Sequence, residues 1–435
     1  MNKPKVYIET YGCQMNLSDT EIVKGILINS GYSITDSQEN ADVILMNTCS
    51  IRENAEQRIY GRLGNFKKYK TTDTKKVIGI IGCMAERLRE KLIEKEKVVD
   101  LVVGPDEYRK LPQYIEEARS GSKGIGVKLS RTETYDDIIP YREEGILAWI
   151  PIMRGCNNFC TYCVVPYTRG RERSRDLNLI VEETQKLSER GFREITYLGQ
   201  NVNSYNSNNN DFADMLAECA KVAPDVRLRF ATSHPKDLSD KLLYTIAETE
   251  NICNYIHLPV QSGSSAILEK MNRTYTAKEY LNLVERAKKI IPGVSFTTDI
   301  IAGFPTETEK DHKATLDLMK QVRYDGAYMF KYSPREGTKA FKMNDDVPEE
   351  VKVKRLNEII DLQQKISAEI NEALIGKITN VLVEGFSKKS DEQLSGKNDE
   401  NKVVVFEGNQ DIKIGDYVDV QITKSTSATL IGKLV

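Results

Sequence analysis

The chain has 435 residues, of which 40% are hydrophobic and 29% are charged, and its formal net charge at pH 7 is -2. This balance is that of an ordinary soluble protein with two or three domains, and it argues against a uniformly basic surface that coats nucleic acid. No apolar run is long enough to span a membrane, and the N-terminus lacks the apolar core of a signal peptide, so we expect a cytoplasmic protein.

The first predicted domain, residues 3–120, contains three strand patterns that are each followed closely by a cysteine. The strands are predicted at 5–10, 43–46 and 77–81, and helices at 19–30, 52–70 and 85–96. This alternation predicts a parallel α/β sheet, in which the carboxyl ends of all strands lie at one edge. Cys13, Cys49 and Cys83 therefore converge at that edge and are predicted to bind a metal cluster, unless they are three ordinary buried thiols.

The second predicted domain, residues 142–372, contains three more cysteines in one short loop. Cys156, Cys160 and Cys163 have the spacing C-x3-C-x2-C. Three thiolates can hold three irons of a cubane cluster and leave the fourth iron open. A structural zinc site, the alternative, normally needs a fourth protein ligand, and none of the three histidines of the chain lies in the loop. The spacing therefore favours an open iron–sulfur site. The remaining cysteines, Cys219 and Cys253, are interpreted as structural.

Strand and helix patterns alternate through the rest of this domain. Strands are predicted at 148–153, 194–198, 227–231, 255–258, 295–301 and 326–330. Six such units predict a partial TIM-like (β/α)6 barrel, in which chemistry gathers at the C-terminal ends of the strands. The polar residues expected there to contact a cofactor are Gln200, Ser233, Gln261 and Asp299.

An alternating row of arginines directly follows the cysteine loop. In an extended segment, Arg169, Arg171, Arg173 and Arg175 would share one face, and that face would attract phosphates or a carboxylate. A structural row of salt bridges is the alternative. Arg335, which follows the sixth strand, is a further candidate for RNA contact.

The last predicted domain, residues 375–435, follows a helical connector and changes to a strand period. Strands at 377–384, 402–406, 417–424 and 429–434 predict a small OB-like β-barrel, a fold that often binds RNA. Lys388, Lys397 and Lys402 are candidates for phosphate contacts, and a merely solvated lysine surface is the alternative.

The chain as a whole resembles the radical S-adenosylmethionine methylthiotransferases. The matching motifs lie at 11–16, 47–52, 82–84 and 154–169, and the order of domains is that of the family, ending in a TRAM domain. Within the family, the stretches at 163–175, 231–235, 332–338 and 394–403 are most similar to enzymes that act on isopentenyladenosine in tRNA.

The resemblance implies an enzyme, two 4Fe-4S clusters and S-adenosyl-L-methionine. Cys156, Cys160 and Cys163 would hold the cluster that binds S-adenosylmethionine, and Cys13, Cys49 and Cys83 would hold an auxiliary cluster that supplies sulfur. The implied reaction replaces the C2 hydrogen of N6-isopentenyladenosine-37 in the tRNA anticodon stem-loop with a methylthio group, through a deoxyadenosyl radical.

Two rival functions stay open at this point. A sibling enzyme of the same family would act on threonylcarbamoyladenosine in tRNA or on a ribosomal-protein aspartate. A non-enzymatic electron carrier or RNA-binding protein would need fully ligated clusters. The resemblance also implies an electron donor such as flavodoxin or ferredoxin, and we expect a monomer.

Overall fold

The computed structural model describes residues 3–50, 53–72, 76–387 and 390–435. Within these ranges, no helix has both the length and the apolar character needed to cross a membrane.

The N-terminal part is a six-stranded sheet in the order β2-β1-β3-β4-β5-β6, with every pair of neighbours parallel. Its elements are β1 Lys5–Tyr11, α1 Gln14–Asn29, β2 Ser33–Ile34, β3 Val43–Thr48, α2 Glu53–Thr72, β4 Val77–Gly82, α3 Cys83–Leu88, α4 Glu90–Lys95, β5 Leu101–Val103, α5 Leu111–Arg119 and β6 Gly124–Gly126. The central strands β3 and β4 are buried along their whole length, as expected of parallel strands that are covered on both faces.

Two predicted helices of this part have different bounds in the structure. Helix α1 begins five residues earlier than residue 19, because Cys13 is its N-cap residue. The helix predicted at 85–96 is two short helices, because Arg89 between them has a φ of 52°. Both differences lie at the sheet edge where the cysteines are found.

The middle part has the predicted six-stranded partial barrel. It consists of two three-stranded parallel sheets, β13-β10-β7 and β14-β15-β16, which are linked by a bridge between Leu228 and Ile252. Its first elements are β7 Leu147–Pro151, β8 Met153–Arg154, α6 Val165–Thr168, β9 Arg173–Ser174, α7 Leu177–Glu189, β10 Glu194–Leu198, β11 Asn206–Ser207, β12 Asn210–Asp211, α8 Phe212–Val222 and β13 Arg227–Ala231. Its later elements are α9 Asp240–Glu248, β14 Tyr255–His257, α10 Ser265–Lys270, α11 Ala277–Ile290, β15 Ser295–Ala302, α12 Glu309–Val322, β16 Gly326–Lys331 and the long helix α13 Glu349–Glu372.

The C-terminal part is a closed barrel of five strands in the order β17-β18-β19-β21-β20. The strands are β17 Ile378–Ser387, β18 Ser390–Asn398, β19 Val403–Glu407, β20 Tyr417–Ser425 and β21 Thr429–Leu434. The sequence predicted only four of them. Strand β18 was missed because its sequence, SDEQLSGKN, is almost entirely polar and lacks the β-branched and aromatic residues that mark strands.

The C-terminal barrel packs against the N-terminal end of the middle barrel. Arg227, the first residue of β13, donates from Nη1 to the carbonyl of Lys397 at 2.8 Å, and Arg229 donates from Nη2 to the carbonyl of Asn398 at 2.6 Å. Lys402 forms an ion pair with Asp325, just before β16, at 2.6 Å. The turn between β18 and β19 therefore covers the end of the barrel opposite to the cysteine loop.

Candidate active site

The three N-terminal cysteines, which we call the N-terminal trio, lie at the carboxyl ends of adjacent parallel strands. Cys13 follows β1 and caps α1, Cys49 follows β3, and Cys83 follows β4 as the first residue of α3. The first two loops touch each other, since a Cβ atom on Gly12 would lie 2.7 Å from Cβ of Cys49. Gly12 also has a φ of 145°, so only glycine suits this position.

A buried pair of asparagines fixes the loops of Cys13 and Cys49 relative to each other. Asn16 donates from Nδ2 to Oδ1 of Asn47 at 3.0 Å, and Asn47 donates from Nδ2 to the carbonyl of Asn16 at 2.8 Å. The other end of the Asn16 side chain accepts from the backbone N–H of Cys13 at 3.3 Å. Because both asparagines are fully buried, this network is protected from competing water.

Cys156, Cys160 and Cys163, the barrel trio, lie in the loop between β8 and α6. The β8–β9 pairing closes the base of this loop, and the backbone N–H of Cys156 donates to the carbonyl of Gly170 at 3.1 Å. Gly155 just before the loop has a φ of 80°, and a Cβ atom there would collide with the carbonyl oxygen of Arg171 at 2.0 Å.

A buried arginine lies beside the barrel trio. Arg273 donates from Nη1 to Sγ of Cys160 at 3.4 Å, and its Nε and Nη2 donate to Tyr275 Oη at 2.8 Å and to the Pro259 carbonyl at 2.7 Å. Arg273 could not be predicted as a site residue from the sequence, since a single arginine in the loop between α10 and α11 gives no signal of its own. It places a fixed positive charge next to a thiol.

Burial makes several of these thiols weak acids in the protein without metal. Loss of solvent raises the pKa of Cys156 to about 11 and that of Cys163 to about 12, and it also raises the pKa of Cys83. Metal binds the thiolate, so metal binding must release protons from these residues. Nearby arginines favour the ionised form, and Arg169 acts in this way on Cys83.

The two trios are joined by a buried ionic cluster. Asp19, on α1, accepts from Nη2 of Arg154 at 2.6 Å through one oxygen and from Nη2 of Arg169 at 2.7 Å through the other. Arg169 also donates from Nε to Sγ of Cys83 at 3.1 Å. Helix α3, which begins at Cys83, packs against α6, which follows Cys163. The trios therefore occupy neighbouring positions where the N-terminal sheet meets the barrel.

The donors around the trios fit iron–sulfur clusters better than single metal ions. Among the described residues, no three His, Cys, Asp or Glu side chains are close enough together to hold one ion, whereas each iron of a cubane needs only one cysteine. Three buried N–H groups, Nε and Nη1 of Arg154 and Nη1 of Arg169, have no hydrogen-bond acceptor in the described part of the chain. An anionic cluster with its sulfur atoms would supply both charge and acceptors for them.

Three of the four residues predicted to contact a cofactor follow the C-terminal ends of barrel strands, and Asp299 lies inside β15, three residues before its end. Gln200 accepts through Oε1 from the backbone N–H of Gly155 at 2.5 Å, so it also supports the cysteine loop. Ser233 is buried, and its Oγ has no partner among the described residues. Gln261 has a φ of 71° and pairs with Ile300, and Asp299 lies 3.5 Å from Nε2 of His257. Their contact with a cofactor stays a prediction.

The alternating arginines do not form one open face, because three of them are buried in ion pairs with carboxylates. Arg169 pairs with Asp19, Arg173 pairs with Asp106 at 2.9 Å, and Arg175 pairs with Asp136 at 2.5 Å and with Glu183 at 2.8 Å. These contacts match the alternative interpretation of the arginine row, a structural series of salt bridges. Only Arg171 is exposed, and it stacks on the ring of Phe159 at 4.4 Å.

The remaining RNA candidates differ in exposure. Lys402 is largely shielded between Asp325 and Asn371, and Lys397 is partly exposed beside Glu384 at 3.7 Å. Arg335 is partly exposed in the loop after β16. Lys388 lies outside the described residues.

Comparison with known proteins accounts for all three parts of the chain. Family models match at residues 5–104 (uncharacterized protein family UPF0004), 150–319 (radical SAM superfamily) and 372–435 (TRAM domain). A tRNA-2-methylthio-N(6)-dimethylallyladenosine synthase of Chloroherpeton thalassium is 54% identical over 433 residues, which cover 99% of this chain and 96% of the relative. A synthase of the same name from Bacteroides fragilis is 53% identical over 439 residues, with the same coverage of both chains. The chain belongs to this synthase family.

Solved structures of more distant proteins share the fold. A radical S-adenosylmethionine methyltransferase from Kitasatospora setae, TsrM, superposes with a TM-score of 0.58 at 13% identity, covering 75% of this chain and 73% of that protein. The cobalamin-dependent radical enzyme OxsB gives a TM-score of 0.56 at 11% identity, covering 83% of this chain and 56% of OxsB. At such identities the likeness shows the architecture alone, and it agrees with the sheet-plus-barrel order of the synthase family.

Several residues of the site were not expected from the sequence. Asp19, Arg154 and Arg273 are buried charges whose partners lie far away in the chain, and Asn16 and Asn47 link two separate loops. The sequence did contain a signal for Asp19 and Arg154. Arg154 stands two residues before Cys156, and Asp19 stands six residues after Cys13. Charged residues so close to predicted cluster ligands are candidates for contact with the cluster or with each other.

Proposed function

We propose that the protein replaces the C2 hydrogen of N6-isopentenyladenosine-37 in tRNA with a methylthio group, giving 2-methylthio-N6-isopentenyladenosine. The observation that carries this proposal is the 54% identity, over almost the whole of both chains, to a synthase named for that product. Both cysteine trios that the reaction needs are present and adjacent. The enzyme uses S-adenosyl-L-methionine and two 4Fe-4S clusters.

Each trio has its own role in this proposal. Cys156, Cys160 and Cys163 would hold the cluster that binds S-adenosylmethionine, and Cys13, Cys49 and Cys83 would hold the auxiliary cluster. When bound, these groups supply a radical that removes hydrogen and a sulfur atom that replaces it. With three protein ligands each, both sites leave one iron free for an exogenous ligand.

The side chains of the protein position and shield the reacting groups instead of moving the key proton. An aromatic C–H bond at C2 is not acidic enough for a side chain to deprotonate at neutral pH. His234, the histidine at the C-terminal end of β13, also stays neutral, because burial and nearby Arg273 lower its pKa to about 2. What remains for the protein is geometry, exclusion of water and charge compensation.

Gln200, Ser233, Gln261 and Asp299 are proposed contacts for S-adenosylmethionine. The carbonyl of Gln200 is occupied by the N–H of Gly155, which leaves its amide N–H groups to donate to a carboxylate. Asp299 offers a carboxylate for the amine of the cofactor. Both groups would then hold the methionine part of S-adenosylmethionine beside the open iron.

For RNA contact we propose Arg171, Arg335 and Lys397, which keep some exposure. Arg171 lies next to the barrel trio, whereas Lys397 lies in the C-terminal barrel at the other end of the strands. The longest strand of the middle barrel, β15, has eight residues, so an RNA that contacts both ends of that barrel would span about 26 Å of protein.

We propose that the chain is organised in three domains, at residues 3–120, 142–372 and 375–435. The reaction consumes electrons, so an electron donor such as flavodoxin or ferredoxin is required. We also propose a cytoplasmic location, since the substrate is tRNA, and a monomer, since no extended heptad pattern in the sequence calls for a dimer.

Nucleoside mass spectrometry tests the substrate assignment. In tRNA from a strain that lacks the gene, we expect loss of 2-methylthio-N6-isopentenyladenosine and accumulation of its unthiolated precursor. Complementation with the wild-type chain should restore the product. Loss of the methylthio form of threonylcarbamoyladenosine, or of a methylthiolated ribosomal-protein aspartate, with no change in the isopentenyl nucleoside would assign the protein to a sibling enzyme instead.

A further inference from the structure

Arg169 belongs to the chain segment that follows the barrel trio, and its side chain contacts a thiol of the N-terminal trio. It belongs to the segment that follows Cys163, and its backbone N–H donates to the carbonyl of Val165 at 2.8 Å. Its side chain reaches into the N-terminal part, where Nε meets Sγ of Cys83 at 3.1 Å and Nη2 meets Asp19 at 2.7 Å. The side chain is 4% exposed, so both contacts are shielded from water.

Asp19 makes this arrangement rigid. Its second oxygen binds Arg154 at 2.6 Å, and Arg154 stands two residues before Cys156. One carboxylate of the N-terminal part therefore holds both arginines that flank the barrel trio. Because Asp19 and both arginines are buried, moving either arginine away from Asp19 would leave a buried guanidinium without its counter-ion, which favours the observed geometry.

The ionic cluster carries a net positive charge next to Cys83. Two guanidinium groups face one carboxylate, and one N–H of Arg169 already points at the sulfur atom. Hydrogen bonds to ligand sulfurs and nearby positive charge favour the reduced form of an iron–sulfur cluster and raise its reduction potential. Partners of this kind also orient the metal ligand.

We propose that Arg169, anchored by Asp19, is a positioning residue that fixes the auxiliary cluster against the barrel cluster and tunes it through Cys83. The role rests on the proposed function for its two clusters. It replaces the contact with phosphate that the alternating sequence of arginines suggested for this residue. A correct separation of the two clusters is what lets hydrogen removal and sulfur transfer occur on the same nucleoside.

The first test compares Arg169→Gln with wild type after anaerobic reconstitution. We expect reductive cleavage of S-adenosylmethionine to continue within about twofold, since the barrel trio is intact. We expect methylthiolated product per deoxyadenosine to fall by about tenfold or more, the usual effect of losing an outer partner of a metal ligand. Arg169→Lys keeps the charge, but a lysine cannot reach Asp19 and Cys83 together. It should therefore restore little of the yield of methylthiolated product per deoxyadenosine.

The second test does not depend on the RNA substrate. In a Cys160→Ala background, where only the auxiliary cluster is expected to assemble, a redox titration followed by electron paramagnetic resonance measures its potential. Arg169→Gln should shift the potential to a more negative value and alter the resonance of the reduced cluster. Arg169→Lys should shift the potential less, because the positive charge remains.

Asp106→Asn is the matched control. It disrupts the ion pair between Asp106 and Arg173, which is equally buried and joins the same two parts of the chain but touches no thiol. The control should leave the potential at the wild-type value. The proposal would be overturned if Arg169→Gln changed neither the reduction potential nor the ratio of methylthiolated product to deoxyadenosine. It would also be overturned if Asp106→Asn shifted the potential as much as Arg169→Gln does. If wild type fails to modify isopentenyladenosine while the potential still shifts, the function is wrong and the role of Arg169 stands.

Discussion

Nε of Arg169 donates a hydrogen bond to Sγ of Cys83 at 3.1 Å, across 86 residues of sequence. This contact joins the segment after the barrel trio to the N-terminal trio. This contact supports the proposal that the two trios belong to one active centre and not to two independent metal sites. The consequences for activity, stability and RNA binding can be tested separately.

The trios should have separable functions. Cys49→Ala removes one proposed ligand of the auxiliary cluster, so we expect cleavage of S-adenosylmethionine to continue while methylthiolation is abolished. Cys160→Ala should abolish both, because it removes a proposed ligand of the cluster that binds S-adenosylmethionine. Deoxyadenosine and the modified nucleoside are measured by mass spectrometry in the same reaction.

Cys219→Ala is the control for this pair. Cys219 is also fully buried, but it lies in the barrel core beside Thr184, away from both trios. It should retain both activities. Normal methylthiolation by Cys49→Ala would disprove the assignment of the auxiliary site.

Lys402 should matter for domain docking more than for RNA binding. Its ammonium pairs with Asp325 and Asn371 at the interface of the two barrels. Lys402→Met leaves a shielded carboxylate without its partner and should lower the free energy of unfolding by about 2 kcal/mol. Urea unfolding measures this loss, and the exposed Lys424→Met should change stability by less than about 0.5 kcal/mol. A large loss of RNA affinity with unchanged stability would reverse the assignment.

Arg171 should contribute to RNA binding because it is the exposed member of the arginine row. Arg171→Ala removes one cation beside the cysteine loop, so RNA affinity should fall and the salt dependence of log K should decrease by about one unit. Filter binding at several salt concentrations measures both quantities. Arg286→Ala, an exposed arginine on the outer helix α11, is the comparison. Equal effects of the two substitutions would exclude a specific contact.

His234 should make stability depend on pH. Its pKa is about 2 in the folded protein and about 6.5 in an unfolded chain, so only the unfolded state takes up the proton between these values. Stability contributed by the neutral ring is therefore complete above pH 6.5 and is lost as the pH falls, by about 1.4 kcal/mol per pH unit. The stability difference between wild type and His234→Gln should change by about 1.2 kcal/mol between pH 6 and pH 5, because the unfolded ring is not yet fully protonated at pH 6. A difference that is independent of pH would show that the ring is protonated in the folded state.

The sequence was sufficient where a local pattern determines the structure. Cys13, Cys49 and Cys83 follow predicted parallel strands, and that topology alone places them at one edge. The barrel follows in the same way from its alternating strands and helices. The spacing of Cys156, Cys160 and Cys163 needed no structure to indicate an open site.

The sequence failed where the partner of a side chain lies in another domain. Arg169, Arg173 and Arg175 alternate like residues of an exposed strand, and only the fold shows that Asp19, Asp106 and Asp136 bury them. Lys397 and Lys402 were candidates for phosphate contacts, but the carbonyl groups of Lys397 and Asn398 accept hydrogen bonds from Arg227 and Arg229, and the ammonium of Lys402 pairs with Asp325. Pairings of this kind depend on how domains dock, which periodicity does not encode.

Iron and acid-labile sulfide analysis of the anaerobically prepared protein tests the two-cluster active centre most directly. We predict about eight irons and eight sulfides per chain in the wild type, and about four of each when either trio is replaced by alanine. Circular dichroism should confirm that the variants stay folded. About four irons in the wild type, or an unchanged content after replacement of one trio, would contradict the account.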